Sequence, residues 1–232
     1  GRLEHPNICC IVAVGSTPQG VPCALLEWVE TTVANDLKLS EVGSFPEVRA
    51  GVLKKRSNAS RITMVRELAE AIEYLHSGTA VANCIVLHRD LKPDNYGVTE
   101  SGDLKLLDFG LAVCLLKVEG NMPTCDMKYS LTGETGSSRY MAPEVGRCED
   151  YGVGADTNSF AVSADHSRLV IRGTQRPPIP ASWHPELKKI LCAAWDPDPS
   201  NRPGFDKIVK VFKGLEQLQG EDPLGAPKGC LC

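Results

Sequence analysis

The 232-residue sequence has no hydrophobic run long enough to cross a membrane. Its longest apolar stretch, residues 8–14, has seven residues, whereas a membrane-spanning helix needs about 20. It also has no excess of positive charge, because 25 Lys and Arg stand against 29 Asp and Glu. The net negative charge therefore provides no general electrostatic attraction to nucleic acid or anionic membranes. The N-terminus shows neither an initiator Met nor a signal-peptide pattern, so we expect the chain to begin inside a longer protein.

The cysteines do not follow the spacing of a metal site or a disulfide framework. The ten cysteines include no C-x-x-C pair, and a chain of this length can bury a sufficient core without such staples. We therefore expect free thiols in a reducing compartment, which favours a cytoplasmic location. Cys230 and Cys232 form a C-x-C ending similar to that of doubly prenylated GTPases, but we favour a solvated tail.

Hydrophobic periodicity predicts an α+β fold that is mostly helical. Apolar runs at residues 8–14 and 21–29 flank a Gly/Pro-rich break and predict a hairpin. From Ser60 the apolar residues recur at steps of three and four, which predicts a helix capped by Ser60 and stopped at Gly78. We further expect strands at residues 84–87 and 104–107, a polar loop at residues 117–139, and helices at residues 185–194 and 205–218. Strands that precede a run of helices are typical of the α+β class.

Three short motifs carry the strongest functional signal. The sequence HRDLKPDN at residues 88–95 is followed by DFG at residues 108–110 and by APE at residues 142–144. In this order and at these spacings they match the signature set of eukaryotic protein kinases. The chain resembles the C-terminal lobe of a protein Ser/Thr kinase of the tyrosine-kinase-like branch. This resemblance implies a protein-kinase-like fold in which the helical C-terminal lobe dominates and only a remnant of the N-lobe sheet is present.

The resemblance assigns catalytic and metal-binding roles to four residues. Asp90 would orient the acceptor hydroxyl and take its proton, while Lys92 would neutralise charge on the transferring phosphoryl group. Asn95 and Asp108 would hold Mg²⁺, since hard cations prefer oxygen ligands. The implied cofactors are therefore ATP and Mg²⁺. The alternative for these residues is a charged loop with ordinary turn chemistry.

The resemblance also places the adenine site and the domain boundaries. Residues Leu26, Glu27, Trp28 and Val29 would form the hinge that contacts adenine, with Leu26 as gatekeeper, although a plain buried edge strand remains an alternative. Residues 1–30 would be the remnant of the N-lobe and hinge, residues 31–218 the C-lobe, and residues 219–232 a tail.

The resemblance implies that several residues hold or regulate the activation segment, whose substrate-side end is similar to residues 136–144. Ser137 would contact the catalytic loop, Glu144 would pair with Arg202, and Asp156 would brace the catalytic loop. Arg89 implies regulation by phosphorylation of the segment. The expected acceptors for an upstream kinase are Thr132 and Thr135, with Ser130 and Ser138 behind them; an unmodified polar loop is the alternative.

Two features of active kinases are missing from the sequence. It contains no G-x-G-x-x-G loop and no strand Lys of the V-A-I-K kind, both of which hold the ATP phosphates in this family. The apolar start of a buried helix at residues 155–162 turns polar at residues 163–168. We therefore expect an N-terminally truncated kinase domain with a gap in its central helix. The main prediction is a Ser/Thr kinase acting on proteins; the alternative is a catalytically incompetent kinase-like binding module or a truncated gene product.

Overall fold

The computed structural model describes residues 3–36, 57–116, 124–164, 179–218 and 222–224. Seven strands lie in these ranges: β1 (Ile11–Ser16), β2 (Pro22–Leu26), β3 (Thr31–Thr32), β4 (Cys84–Leu87), β5 (Tyr96–Val98), β6 (Leu104–Leu106) and β7 (Val113–Leu116). Six α-helices accompany them: α1 (Val33–Asp36), α2 (Asn58–His76), α3 (Pro143–Gly146), α4 (Gly154–Ala164), α5 (Pro185–Ala194) and α6 (Phe205–Glu216). None of the described helices is long and apolar enough to cross a membrane.

The strands form three small antiparallel sheets. β1 pairs with β2 as the predicted hairpin, β4 pairs with β7, and β5 lies between β3 and β6. β4 leads into the HRD motif, whereas β5 begins directly after Asn95 and β6 ends two residues before Asp108. The two C-lobe sheets therefore place the predicted catalytic motifs at strand ends.

Helices α2, α4, α5 and α6 enclose the main hydrophobic core. Phe160 of α4 lies at its centre and packs edge-to-face against Phe205 and Phe212, with ring centroids 5.3 and 6.3 Å away. Ile72 of α2 and Leu191 of α5 are buried in the same cluster. This apolar core holds the helices that carry the site residues, because area removed from water is the main favourable term in folding.

The β1–β2 hairpin is built differently, since both of its strands are exposed along their whole length. Its side chains are nevertheless apolar, and Val14 and Leu25 are 77% and 62% exposed. An isolated two-stranded hairpin has little stability of its own in water. The chain is joined to the helical lobe just before β1, where the Cys9 amide donates to the Leu106 carbonyl at 3.0 Å.

The helix and strand predictions hold with small shifts of boundary. α5 has the predicted bounds, and α6 ends two residues early. α2 is capped by Ser57, whose side chain accepts from the Ser60 amide, so the prediction of Ser60 as the cap was wrong. Gly78 follows the end of α2 with a φ of 76°, as expected of a helix stop. Within the described residues all eight cysteines are unpaired thiols; Cys230 and Cys232 lie outside them.

The core is incompletely filled on one side of α4. The described residues line a half-open apolar cavity of about 330 Å³. Among its lining residues are Val65 of α2, Tyr96 of β5 and Phe160 of α4. Both polar side-chain atoms of Asn158 in α4 are buried without a hydrogen-bond partner in the described part of the chain. Buried polar groups are normally paired, so Asn158 is an exception in the lobe.

Candidate active site

A buried carboxylate of α4 holds the catalytic loop, residues 88–95, through its backbone amides. Asp156 is 1% exposed; its Oδ2 and Oδ1 accept from the amides of His88 and Arg89, both at 2.9 Å. A third bond comes from His76 Nε2, 3.0 Å from Asp156 Oδ2. Burial alone would raise the pKa of Asp156, but these donors hold it below its usual value. The predicted bracing by Asp156 is therefore present, and His76 adds to it.

The backbone of the loop is strained next to its central residue. Arg89 has a φ of 66°, a conformation that non-glycine residues seldom adopt and that persists where surrounding contacts enforce it. The Asp156 carboxylate supplies such a contact by fixing the Arg89 amide. The turn directs the Asp90 side chain toward the activation segment.

Asp90 is 7% exposed, and both of its carboxylate oxygens accept hydrogen bonds. Oδ1 accepts from the Ser137 amide and hydroxyl, both at 2.9 Å. Oδ2 accepts from Lys92 Nζ at 2.7 Å and from Asn95 Nδ2 at 3.1 Å. Burial opposes ionisation, but the bonds from Lys92 and Ser137 outweigh it and lower the pKa of Asp90. Asp90 is therefore an anion at neutral pH.

Lys92 and Ser137 link the catalytic loop to the activation segment, because Lys92 Nζ also donates to Ser137 Oγ at 2.8 Å. The segment can approach so closely because residue 136 is glycine. A Cβ at Gly136 would lie 2.3 Å from the Arg89 carbonyl oxygen, and the φ of 92° also disfavours other residues. The predicted contact of Ser137 with the catalytic loop is thus confirmed in the structure.

Asn95 and Asp108 present oxygen atoms close to this network. Asn95 is 6% exposed and uses its Nδ2 to bond the Asp90 carbonyl at 2.8 Å, which leaves the Oδ1 atom for another ligand. The Asn95 carbonyl accepts from the amide of Leu107 at 2.9 Å, one residue before Asp108. Asp108 itself is exposed, with a φ of 58° and one bond from the Gly110 amide at 3.1 Å.

His88 fastens the catalytic loop to the DFG motif. Its buried ring donates from Nε2 to the Leu107 carbonyl at 3.0 Å and accepts at Nδ1 from the Asp90 amide at 3.3 Å, the tautomer that satisfies both bonds. It packs edge-to-face on Phe109 with centroids 5.0 Å apart. Burial lowers the pKa of His88, so the ring is neutral at pH 7 and serves as a structural link.

The predicted hinge residues are only partly brought to the site. Leu26 ends β2 and is 52% exposed, and Trp28 is 78% exposed. Glu27 and Val29 are half-buried; Glu27 forms an ion pair with Lys105 at 2.6 Å. The Glu30 amide donates to the Val98 carbonyl at 2.8 Å, which joins the end of the hinge to β5.

The activation segment meets the catalytic loop a second time at Arg89. Arg89 Nη1 lies 3.1 Å from Thr132 Oγ1 and 3.2 Å from the Tyr151 hydroxyl, while its Nε donates to the Leu111 carbonyl at 2.6 Å. Tyr151 donates in turn to the Thr132 carbonyl at 2.8 Å. Thr135 accompanies Thr132 with their hydroxyls 3.0 Å apart.

The predicted ion pair between Glu144 and Arg202 is present and buried. Two parallel bonds of 2.5 and 2.9 Å join the guanidinium to the carboxylate, and Arg202 also donates to the Gly154 carbonyl at 2.8 Å. Both side chains are almost inaccessible to water. This pair fixes the end of the activation segment to the start of α4.

Sequence reasoning missed three residues that support the site: His76, Gly97 and Lys105. Only the position of His76 opposite Asp156 shows its role. Gly97 and Lys105 lie on the three-residue strands β5 and β6, which are too short to show alternation.

Comparison with known proteins agrees with this geometry. The model of the protein kinase domain family matches residues 1–167. The chain therefore belongs to the protein kinase domain family. The predicted kinase-like fold is thereby confirmed.

The relatives are named Ser/Thr kinases. The probable serine/threonine-protein kinase drkD of Dictyostelium discoideum is 28% identical and covers 92% of this chain and 16% of its own length. The serine/threonine-protein kinase VIK of Arabidopsis thaliana is 28% identical, with coverages of 95% and 50%. Human mitogen-activated protein kinase kinase kinase 7 is 26% identical, with coverages of 97% and 36%. The chain thus spans at most half the length of these relatives.

Proposed function

We propose that the protein to which this chain belongs transfers the γ-phosphoryl group of Mg·ATP to Ser or Thr hydroxyls of proteins. The carrying observation is the network in which Asp90, Lys92, Asn95 and Ser137 bond to one another and Asn95 Oδ1 is left for a ligand. Phosphoryl transfer needs positioning and charge neutralisation more than covalent chemistry. A rigid, charged loop of this kind meets that need.

Asp90 is the residue that would receive the acceptor hydroxyl. Its lowered pKa keeps it ionised, so it binds the hydroxyl proton as an acceptor and orients the oxygen. A carboxylate with a low pKa is a weak base toward a free alcohol. The proton therefore passes to Asp90 only as the oxygen bonds to phosphorus and becomes more acidic.

Lys92 would place a positive charge beside the oxygen of the acceptor hydroxyl. Its ammonium lies 2.7 Å from Asp90 Oδ2 and 2.8 Å from Ser137 Oγ. These contacts hold it in place without a change of conformation, and a fixed charge costs no reorganisation when negative charge develops on the phosphoryl oxygens. The Ser137 side chain positions Lys92.

The residues present fit Mg²⁺ and ATP. Asn95 Oδ1 and the Asp108 carboxylate are oxygen donors on adjoining strand ends, and such hard ligands suit Mg²⁺. Bound Mg·ATP supplies the transferable group and shields its charge. The hinge residues Leu26, Glu27, Trp28 and Val29 would contact adenine, mainly through the backbone of Glu27 and Val29. A cytoplasmic location belongs to the same proposal.

Regulation by an upstream kinase at Thr132 is part of this proposal, with Thr135 as second acceptor. Thr132 Oγ1 lies 3.1 Å from the Arg89 guanidinium. A phosphate there would replace a neutral contact by charge-assisted bonds and order the segment. We expect Thr132→Ala to lower turnover of the phosphorylated enzyme, with Thr124→Ala in the same segment as control. Phosphopeptide mapping that finds no phosphate on either Thr132 or Thr135 would contradict this regulation.

A kinase-like binding module is the second candidate. It is favoured by the exposed apolar side chains of the β1–β2 hairpin. The two candidates differ in turnover, since a binding module has none.

The deciding experiment replaces Asp90 in the full-length protein. Asp90→Asn should lower kcat by about 10²–10⁴-fold, the usual contribution of a positioned base, while the thermal midpoint changes little. Asp94→Asn is the matched control, because Asp94 lies in the same loop and is exposed. Wild-type turnover in Asp90→Asn would refute the role of Asp90, and a wild-type protein that transfers no phosphate would favour the binding module.

A further inference from the structure

Gly97 and Lys105 face each other across strands β5 and β6. Residues paired in this way project to the same face of a sheet. On that face lie residues 27–29, which the proposed function assigns to adenine. Each member of the pair makes its own contact with this segment.

Lys105 contacts Glu27 by an ion pair. Lys105 Nζ lies 2.6 Å from Glu27 Oε1, and the two side chains are only 14% and 28% exposed. Glu27 Oε2 accepts from the Cys10 amide at 3.3 Å, so the carboxylate also ties the segment to the residue before β1. The Glu27 amide donates to the Cys10 carbonyl at 2.9 Å. Glu27 is thus held from both sides, with Lys105 as the partner on the C-lobe.

Gly97 lies close to Val29, and this close approach requires that residue 97 has no side chain. A Cβ at position 97 would lie 2.8 Å from Val29 Cγ1, 3.1 Å from Val29 Cβ and 3.1 Å from Leu107 Cδ1. Contacts under 3 Å force a neighbour to move. Val29 is β-branched and stiff at χ1, and because its Cβ is also close, rotation of the side chain alone does not give room. A larger residue at 97 would therefore push the Val29 backbone away from β5.

The same two strands carry the proposed metal ligands. β5 begins one residue after Asn95, and β6 leads through Leu107 to Asp108. The Leu107 amide bonds to the Asn95 carbonyl at 2.9 Å. A contact between residues 27–29 and these strands therefore sets the distance from the adenine segment to Asn95 and Asp108.

We propose that Gly97 and Lys105 are positioning residues that clamp segment 27–29 onto β5 and β6 and thereby set the affinity for the adenine end of the nucleotide. This inference rests on the proposed function. It assigns the pair no part in the transfer step, because neither residue contacts Asp90 or Lys92 in the bonds that form the catalytic network.

The steric half of the clamp is tested by a change and its compensation in the full-length protein. Gly97→Ala should raise KM for ATP about tenfold and leave kcat within about twofold, since it alters nucleotide binding alone. Against a Val29→Ala background, which removes the 2.8 Å contact but keeps the Val29 Cβ and Leu107 Cδ1 at 3.1 Å, Gly97→Ala should raise KM by clearly less than it does in the wild-type background. Gly214→Ala is the matched control, because a Cβ there meets nothing within 4 Å.

The electrostatic half is tested by Lys105→Met and Glu27→Gln. Each should raise KM for ATP several-fold, and the double variant should be no worse than either single variant, as expected when both changes remove one interaction. Lys210→Met, at an exposed position of α6, serves as control. Lys105→Met also keeps the inference testable if Gly97→Ala fails to fold.

Amide hydrogen exchange in nucleotide-free protein separates this inference from the proposed function. The Glu27 and Glu30 amides, which bond to the Cys10 and Val98 carbonyls, should exchange at least about fivefold faster in Gly97→Ala and in Lys105→Met than in wild type. Unchanged exchange, or an equal rise in KM with and without Val29→Ala, would overturn the clamp. A wild-type protein without turnover would refute the proposed function, while the exchange result would still test the contact.

Discussion

Asn95 and Asn158 are both buried asparagines of the helical lobe, but their amides have opposite surroundings. Asn95 donates twice to Asp90, at 2.8 and 3.1 Å. Asn158 is 0% exposed, and neither its Nδ2 nor its Oδ1 has a partner among the residues that the structure describes. A buried amide without a bond costs free energy. The comparison separates an asparagine of the catalytic loop whose amide bonds within the site from an asparagine of α4 whose amide has no described partner.

Helix α4 carries both kinds of environment within three turns. Near its start Asp156 accepts three bonds that fix the catalytic loop and His76. Near its end Phe160 and Ser163 line the apolar cavity. Close packing and polar satisfaction are thus concentrated near the start of α4, where Asp156 holds the catalytic loop, and they are relaxed toward its end.

The largest effect is expected near the start of α4, from Asp156→Ala. It leaves two buried backbone amides and His76 without an acceptor, and breaking one partner of a buried charged network costs about 3–5 kcal/mol. Urea denaturation should show this loss, and any folded enzyme should have a lower kcat because the Asp90 backbone is no longer held. Asp150→Ala, at an exposed position, should change stability by less than about 0.5 kcal/mol.

The same carboxylate should contribute to acid sensitivity. Since the pKa of Asp156 is lower in the folded protein than the ordinary 3.8, the unfolded chain binds the proton more tightly. The stabilisation is complete above that ordinary value and is lost as pH falls through the lower folded pKa. Denaturation of Asp156→Ala should therefore depend less on pH below 4 than denaturation of the wild type; equal slopes would contradict this assignment.

A smaller change in stability, opposite in sign to that of Asp156→Ala, is expected at Asn158. Asn158→Leu replaces an orphaned amide by an apolar group of similar size, which should stabilise the chain by about 1–3 kcal/mol because a desolvation penalty disappears. Asn95→Leu is the matched comparison and should destabilise the chain, since the Asp90 carbonyl and carboxylate lose a donor. If both changes destabilise equally in urea denaturation, the two asparagines do not differ as described.

The catalytic site was the more predictable part of the molecule. Residues 88–95 form a contiguous motif whose roles the family resemblance already implied, and the same resemblance implied the pairing of Glu144 with Arg202. The clamp of Gly97 and Lys105 could not be predicted, because it depends on how β5 and β6 lie against residues 27–29. Ser57 caps α2 through a local bond from the Ser60 amide, which the apolar periodicity alone does not locate.

The smallest expected effect compares one added methylene at two positions of the lobe. Val65 lines the cavity, so Val65→Ile should extend into free apolar space and stabilise the chain by up to about 0.8 kcal/mol. Val86 of β4 is 4% exposed and does not line that cavity, so Val86→Ile must displace neighbours and should destabilise by about 1–3 kcal/mol. Each change replaces one β-branched residue by another, so the intrinsic secondary-structure propensity hardly changes. Thermal denaturation of the two variants should give shifts of opposite sign, and a destabilised Val65→Ile would mean that the space beside α4 is already filled.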